Sequence, residues 1–296
     1  VNVTESISES TPLFGRYARE FGPVIETVLE RSSNFQHYFT SEESFGAIFA
    51  DGSATADANR ICALEMLQNS HLAALLCLSR SKQWLLACWN SYQRGDLLAW
   101  CNDLRSLIES TADFYSDLNL LAISLAESMP KIRGALAGEC ATSLTFSEFE
   151  DKITHFMHAR KLNGAERAQL SNVFEAKKTF EYVKDLERFD LEGLYSFYSE
   201  LSQFAHPAEN SLHHFYKQAP DGGWMVVNTG GSDTINALVK KYRRIIDRFS
   251  AYAFMPGLLL IRVLVPFHIF PKHPELKKFP FELSPSWPRI QKALKK

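Results

Sequence analysis

LLAWCNDLRSLIESTADFYSDLNLLAISLAESMP, residues 97–130, decides the fold. Apolar side chains fall at Leu97, Trp100, Leu104, Leu107, Phe114, Leu118, Leu121 and Leu125, with Thr111 holding the register. The spacing alternates three and four without a slip, which is a heptad seam along one long helix. Asp96 stands where an N-cap belongs, and Pro130 is the stop. A seam of this length needs facing helices to bury it.

Those helices are legible on both sides. Upstream, Ala58–Ser79 is apolar nearly all round and reads as a central helix, followed by a second over Lys82–Tyr92 that carries Trp84, Leu85, Cys88 and Trp89. "QRGD" at 93–96 is the turn into the seam helix. Downstream, the polar stretch 141–172 contains a shorter helix over Ser147–Arg160, with Phe149, Ile153 and Phe156 on its apolar face. Two more helices are predicted near Phe174–Arg188 and over Leu191–Ala205, the latter capped by Asp190. Leu191, Leu194, Tyr198, Leu201 and Ala205 repeat the three–four spacing, so this helix faces the core.

After Pro207 the pattern changes. "HHFYKQAPDGGWMVVN", residues 213–228, has two short extended runs around Pro-Asp-Gly-Gly, a hairpin signature. One long helix is then predicted, capped by Ser232 or Asp233 and running through "INALVKKYRRIIDRFSAY". A short helix at Trp287–Lys295 closes the chain. The fold class expected is mostly α, a multi-helix bundle with one small β-hairpin. Its organisation reads as an N-terminal helical extension (1–50), the bundle (51–270) with a polar insertion near 139–174 and the hairpin near 212–228, and a basic Pro-rich tail (271–296).

Composition narrows the function classes. The 296 residues are 46% hydrophobic and 22% charged, ordinary for a globular protein. Five cysteines without a C-x-x-C pair argue against a disulfide framework and a zinc knuckle, and a cytoplasmic location is expected. The opening "VNVTESISES" lacks the basic-then-apolar order of a signal peptide. Net charge is −2, yet residues 240–296 hold thirteen basic and three acidic side chains, a local +10 against −12 elsewhere. Lys240, Lys241, Arg243, Arg244 and Arg248 are therefore candidates for binding an anion or nucleic acid, and the alternative is that they pack on the acidic remainder of the protein. The apolar run 251–270 is interrupted by Arg262, His268, Pro256 and Pro266, which favours a core helix over a membrane span.

Two polar motifs stand out. "RSLIES" at 105–110 places Arg105 beside the seam, with Glu109 one turn on as its ion-pair partner. "YSELSQFAHPAENS" at 198–211 ends a helix on His206, because the residue before a proline is driven out of the α conformation. A helix-end imidazole also complements the dipole. Tyr195, Ser199, Ser202 and His206 form a hydroxyl-and-imidazole stripe. Both motifs flank buried faces, where polar groups seek one another, so Arg105, Glu109, Tyr198 and His206 are expected to meet in one cluster. Ser202–His206 is a poor hydrolase dyad, because there is no G-x-S-x-G elbow and nothing orients the imidazole.

"RSLIE" followed much later by "YSELSQFAHPA" resembles a bacterial all-helical family with R-S-L-F-E-like and Y-x-E-L-S-x-x-x-H-P-like motifs, loosely associated with HEPN-type and abortive-infection proteins. The resemblance covers roughly residues 58–211. It marks Arg105, Glu109, Tyr198, Glu200, Ser202 and His206, and carries no established activity. The Arg, four-to-six residues, His pair of many HEPN nucleases is absent before His206. Arg31–His37 and Arg262–His268 match its spacing, as about one or two pairs would by chance.

No metal site or cofactor is expected. Asp151, His155 and His158 share a helix face, but that face opposes the apolar one and points to water, and no second E-x-x-H completes a set. "TGGS" at 229–232 lacks the lysine of a phosphate loop and reads as a turn plus cap. The leading expectation is a helical interaction or regulatory protein, in bacterial stress or phage defence, that works through self-association or a protein partner. The alternative is a HEPN-like RNA-binding or metal-independent RNA-cleaving protein using an Arg105/His206 cluster and the basic C-terminal segment. Neither a membrane nor DNA is an expected partner.

Overall fold

In the computed structural model the seam is one helix with its apolar line closed off from water. The structure describes residues 6–50, 55–140, 142, 147–206, 209–227 and 230–295. Residues 1–5, Pro207, Thr229 and five positions of the expected polar insertion (141 and 143–146) lie outside the described residues, as does the expected domain boundary at 51.

In chain order, a 3-10 turn at Ile7–Ser10 leads into α1 (Thr11–Ser32), α2 (Glu42–Ala50), α3 (Thr55–Arg94), α4 (Leu97–Glu127) and α5 (Met129–Leu136). Then come α6 (Ser147–His158), α7 (Gly164–Gln169), α8 (Thr179–Glu187), α9 (Leu194–Ala205) and α10 (Glu209–His213). The hairpin is β1 (Tyr216–Gln218) with β2 (Trp224–Val226). Helices α11 (Ser232–Lys241), α12 (Arg243–Tyr252), α13 (Met255–Leu264) and α14 (Trp287–Leu294) complete the chain. The fold is mostly α with one small antiparallel hairpin, as the periodicity predicts.

Helix α4 starts where Asp96 accepts the Ala99 N–H at 3.2 Å. It is separated by one residue from α5, whose first turn takes Pro130. Every seam position from Leu97 to Leu125 is at most 2% exposed. The two upstream helices are one: α3 runs forty residues unbroken. The polar "SRSK" at 79–82 contains no breaker, and Ser81 donates to the Ala253 carbonyl at 2.7 Å without leaving the helix.

The opposite error occurs downstream. The helix predicted from 232 onward breaks at Tyr242, whose backbone leaves the α region (φ −109°, ψ 18°). The cause is tertiary. The Tyr242 ring stacks on Phe197 with centroids 4.3 Å apart, and its hydroxyl donates to Glu200. Asp190 is not the cap of α9. It sits in a turn at φ +67° and pairs with Arg248, while Gly193 (φ +87°) begins the helix. His213 and His214 precede the hairpin rather than lying on it, with His213 closing α10.

The described residues pack as two compact units. The first comprises Val1–Thr27, Ser79–Asp113 and Lys178–Phe254. Its core includes Phe14, Phe21, Trp100, Leu107, Phe197 and Phe249, all essentially inaccessible. Gly15 kinks α1 at φ +71°, and a Cβ there would run into the Asp247 carboxylate. The kink leaves carbonyls free, and Arg243 donates to those of Pro12 (3.0 Å) and Leu13 (3.3 Å) while pairing with Asp247 at 2.8 Å.

The second unit comprises Val28–Leu78, Phe114–Lys177 and Met255–Lys296. In it α13 packs so closely on α3 that a Cβ on Gly257 would lie 2.9 Å from the Ala74 carbonyl oxygen. The residues 243–267 and 55–94 are each long and apolar enough to cross a membrane. In their most apolar windows, 83% and 56% of the residues respectively are buried inside the protein. The basic tail is folded too. Leu276, Phe281, Trp287 and Ile290 are buried, and Arg289 forks onto Glu127 at 2.6 and 2.8 Å.

Candidate functional site

The two motifs meet inside the first unit. Arg105 and Glu109 sit one turn apart on the flank of α4. Tyr198 and His206 lie two turns apart, on α9 and at its C-cap. The Arg105 guanidinium reaches three ways: Nη2 to Glu109 Oε1 at 2.9 Å, Nη1 to His206 Nε2 at 2.8 Å, and Nε to Tyr198 Oη at 3.4 Å. Tyr198 Oη in turn donates to Glu109 Oε1 at 2.8 Å. The guanidinium carbon also stands 5.6 Å from the centre of the Tyr198 ring. Four residues named from sequence flanks therefore form one closed network.

Electrostatics reinforce the geometry. Burial works against the Arg105 charge, but the bonds to Tyr198 and Glu109 outweigh it and raise its pKa. Burial pushes the Tyr198 phenol up, and its bond to Glu109 adds to that against the pull of Arg105, so it remains a neutral donor. A guanidinium has only donors, so Nε2 of His206 is the accepting nitrogen and the ring proton sits on Nδ1. His206 has extended backbone (φ −106°, ψ 161°), the conformation required of a residue before proline.

Ser202 stays outside the network. Its hydroxyl donates to the Tyr198 carbonyl at 2.9 Å, a bond within the helix. Tyr195 lies beneath the Lys184 ammonium, 4.7 Å from its ring centre. Glu200 faces away and binds Lys241 at 2.6 Å together with Tyr242. Burial opposes its ionisation, yet these two donors hold its carboxyl below the usual range. Sequence reasoning named Glu200 but missed that it pins the α11–α12 junction.

Of the five candidate cations, three are engaged within the protein: Lys241 with Glu200, Arg243 with Asp247, and Arg248 with Asp190. Lys240 and Arg244 are exposed. Lys241 and Arg248 thus pair with the acidic remainder of the protein, whereas Arg243 pairs with Asp247 one turn on, inside the basic segment itself. His155 does not face water as expected. Its Nδ1 donates to the Val173 carbonyl at 2.7 Å, and Nε2 lies 3.8 Å from the buried Asp117 carboxylate, whereas Asp151 and His158 are exposed. Neither HEPN-like spacing lies on one helix: Arg31 ends α1 before His37, and His268 follows α13 at φ +57°.

Within the cluster the Nε2 lone pair of His206 receives the Arg105 N–H. A nucleophile needs a base within reach, and the Ser202 hydroxyl is directed to a backbone carbonyl. What the network does is fix the end of α9, from which the chain passes into α10 and the hairpin. There Trp224, Val226 and Met225 are 68%, 84% and 46% exposed. The register pairs Tyr216 with Val226 and Gln218 with Trp224, so Trp224, Val226 and Tyr216 share one face. Tested against protein-family models, curated proteins and solved structures, the chain matches none.

Proposed function

We propose that this protein is a helical interaction module that pairs with a second copy of itself through the hairpin, and that the Arg105 cluster is the clamp setting where the hairpin begins. The observation carrying this reading is the outward face of Trp224 and Val226, 68% and 84% exposed, on a two-stranded sheet. Two strands alone gain little stability in water. Among the described residues each strand pairs only with the other, so both outer edges keep unpaired N–H and C=O groups. An isologous contact across a two-fold axis would bury the aromatic face against its copy and shelter the strand edges beside it. The expected reducing, cytoplasmic setting rests on the sequence, which has five cysteines and no C-x-x-C pair. A role in bacterial stress or phage defence follows only from the family resemblance.

Sedimentation velocity across a concentration series tests this. The wild type should shift toward a dimer as concentration rises, and Trp224→Ser/Val226→Ser should stay monomeric with an unchanged circular dichroism spectrum. Identical monomeric profiles for both proteins would remove the proposal.

The 2.8 Å Arg105–His206 contact favours a second reading, HEPN-like RNA binding, with exposed Lys240 and Arg244 supplying phosphate contacts. RNA affinity should then fall steeply as salt rises. A weak, salt-independent association would dismiss it.

A further inference from the structure

The second unit holds a cavity of about 530 Å³, within the range of small-molecule sites. Its wall is collected from Arg31 at the end of α1, His71 within α3, and residues between 261 and 277. That wall is largely apolar, with Ile261, Leu264, Val265, Phe270 and Leu276. Among the described residues no acidic side chain lines it, while Arg31, Arg262, Lys272 and Lys277 do. Arg31 is engaged, with Glu275 at 3.7 Å and the Lys272 carbonyl at 3.1 Å. Half-buried Arg262 and exposed Lys272 and Lys277 form no ion pair among the described residues. Three positive charges therefore border an apolar space that holds no carboxylate to balance them.

The buried polar groups of the wall are committed elsewhere. His273 is 5% exposed, with Nε2 3.4 Å from the Ser32 hydroxyl and Nδ1 3.3 Å from Glu275. His71 has no accessible surface, so neither ring nitrogen is presented to the cavity. Its ring stacks on Phe270 with centroids 4.3 Å apart, and its Nδ1 lies 2.9 Å from His37 Nε2. Burial, with His37 and His273 adding to it, pushes the His71 pKa down to about 3, so the ring is neutral and brings no charge. Exposed His268 stands on the solvent side, as the two lysines do. The interior thus offers apolar contact area without a directional hydrogen bond, and the positive charge lies toward water.

We propose that this cavity binds a single-chain anionic amphiphile, its hydrocarbon chain along Ile261, Leu264, Phe270 and Leu276 and its charged head at Arg262, Lys272 and Lys277. Each feature removes a competitor. A ligand with a polar body, such as a sugar or a nucleobase, would bury donors and acceptors that find no partner on this wall. An inorganic anion would leave the apolar surface uncovered. A cationic amphiphile would meet like charge at the head position.

Calorimetric titration of the full chain with dodecanoate and dodecyl phosphate, each below its micelle-forming concentration, tests this and separates a carboxylate head from a phosphate head. At least one should saturate at one per chain below about 0.1 mM. In its series from eight to twelve carbons, affinity should rise by about threefold per added methylene. Dodecyltrimethylammonium, with the same chain and the opposite charge, should bind at least about tenfold more weakly, and acetate and inorganic phosphate should not saturate. Lys272→Gln/Lys277→Gln, both at exposed positions, should weaken the tighter amphiphile by about tenfold or more with unchanged melting. Absence of saturation by both anionic amphiphiles, an affinity that does not change with chain length, equal binding of dodecyltrimethylammonium, or wild-type affinity in the double lysine variant would overturn the proposal.

Discussion

Arg105→Met separates a clamp from a surface ion pair. Methionine retains much of the apolar stem and deletes all five N–H donors. The substitution removes the bonds to Glu109 at 2.9 Å and His206 at 2.8 Å, together with the longer one to Tyr198. The Arg105 and Glu109 side chains are 21% and 27% exposed, so water recovers part of the loss. An exposed i,i+4 pair by itself would give about 0.3–0.5 kcal/mol. A hydrogen bond to a charged group gives about 1.5–3 kcal/mol when sheltered, and two of them at roughly half weight come to about 2 kcal/mol. Glu109 keeps the Tyr198 hydroxyl, so no carboxylate is orphaned and the loss should not run much higher. The assay is urea unfolding followed by circular dichroism and by tryptophan fluorescence, at low salt and in 1 M NaCl. A cycle with His206→Asn should return a coupling of about 1 kcal/mol, and most of the effect should survive the salt because the pair is partly sheltered. A loss under about 0.5 kcal/mol that vanishes in salt would refute the clamp.

Leu107→Ala removes a fully buried seam residue of the first unit and should cost about 2–5 kcal/mol in the same unfolding assay. A cost under about 0.5 kcal/mol would mean the seam is not packed. His71 has a folded pKa near 3, below its unfolded value, so the unfolded chain binds more protons between them. Stability is then fully present above about pH 6.5 and falls with acid by at most about 1.4 kcal/mol per pH unit toward pH 3. His71→Phe should flatten that slope, and an unchanged slope would contradict the assignment. Cys77, Cys88 and Cys101 are buried, and burial pushes the Cys101 thiol up to about 12. An aromatic disulfide reagent should therefore label only Cys62 and Cys140 quickly in the native state. Rapid labelling of all five thiols would show the core to be open.

What the sequence revealed follows from which forces are local. The seam was legible because nine positions in register, a cap at Asp96 and a stop at Pro130 all agree. The Arg105 cluster was legible because both motifs lie beside buried stripes, which leaves few places for their polar groups to go. The break at Tyr242 was not, since residues 232–252 carry an unbroken helical pattern and the break is imposed by Glu200 and Phe197 from another helix. Amphipathicity alone puts His155 on the wet side, because it cannot foresee that the Val173 carbonyl and Asp117 cover it. The cavity was invisible, because its wall joins residue 31, residue 71 and a segment some two hundred positions later.

Hydrogen exchange of the hairpin amides at two protein concentrations tests the central claim most directly. Among the described residues the outer-edge amides of Tyr216–Gln218 and Trp224–Val226 have no cross-strand partner, so they should exchange fast when dilute. At high concentration they should gain protection of at least about tenfold, and Trp224→Ser/Val226→Ser should abolish the gain. Protection that is the same at both concentrations would contradict pairing through the hairpin.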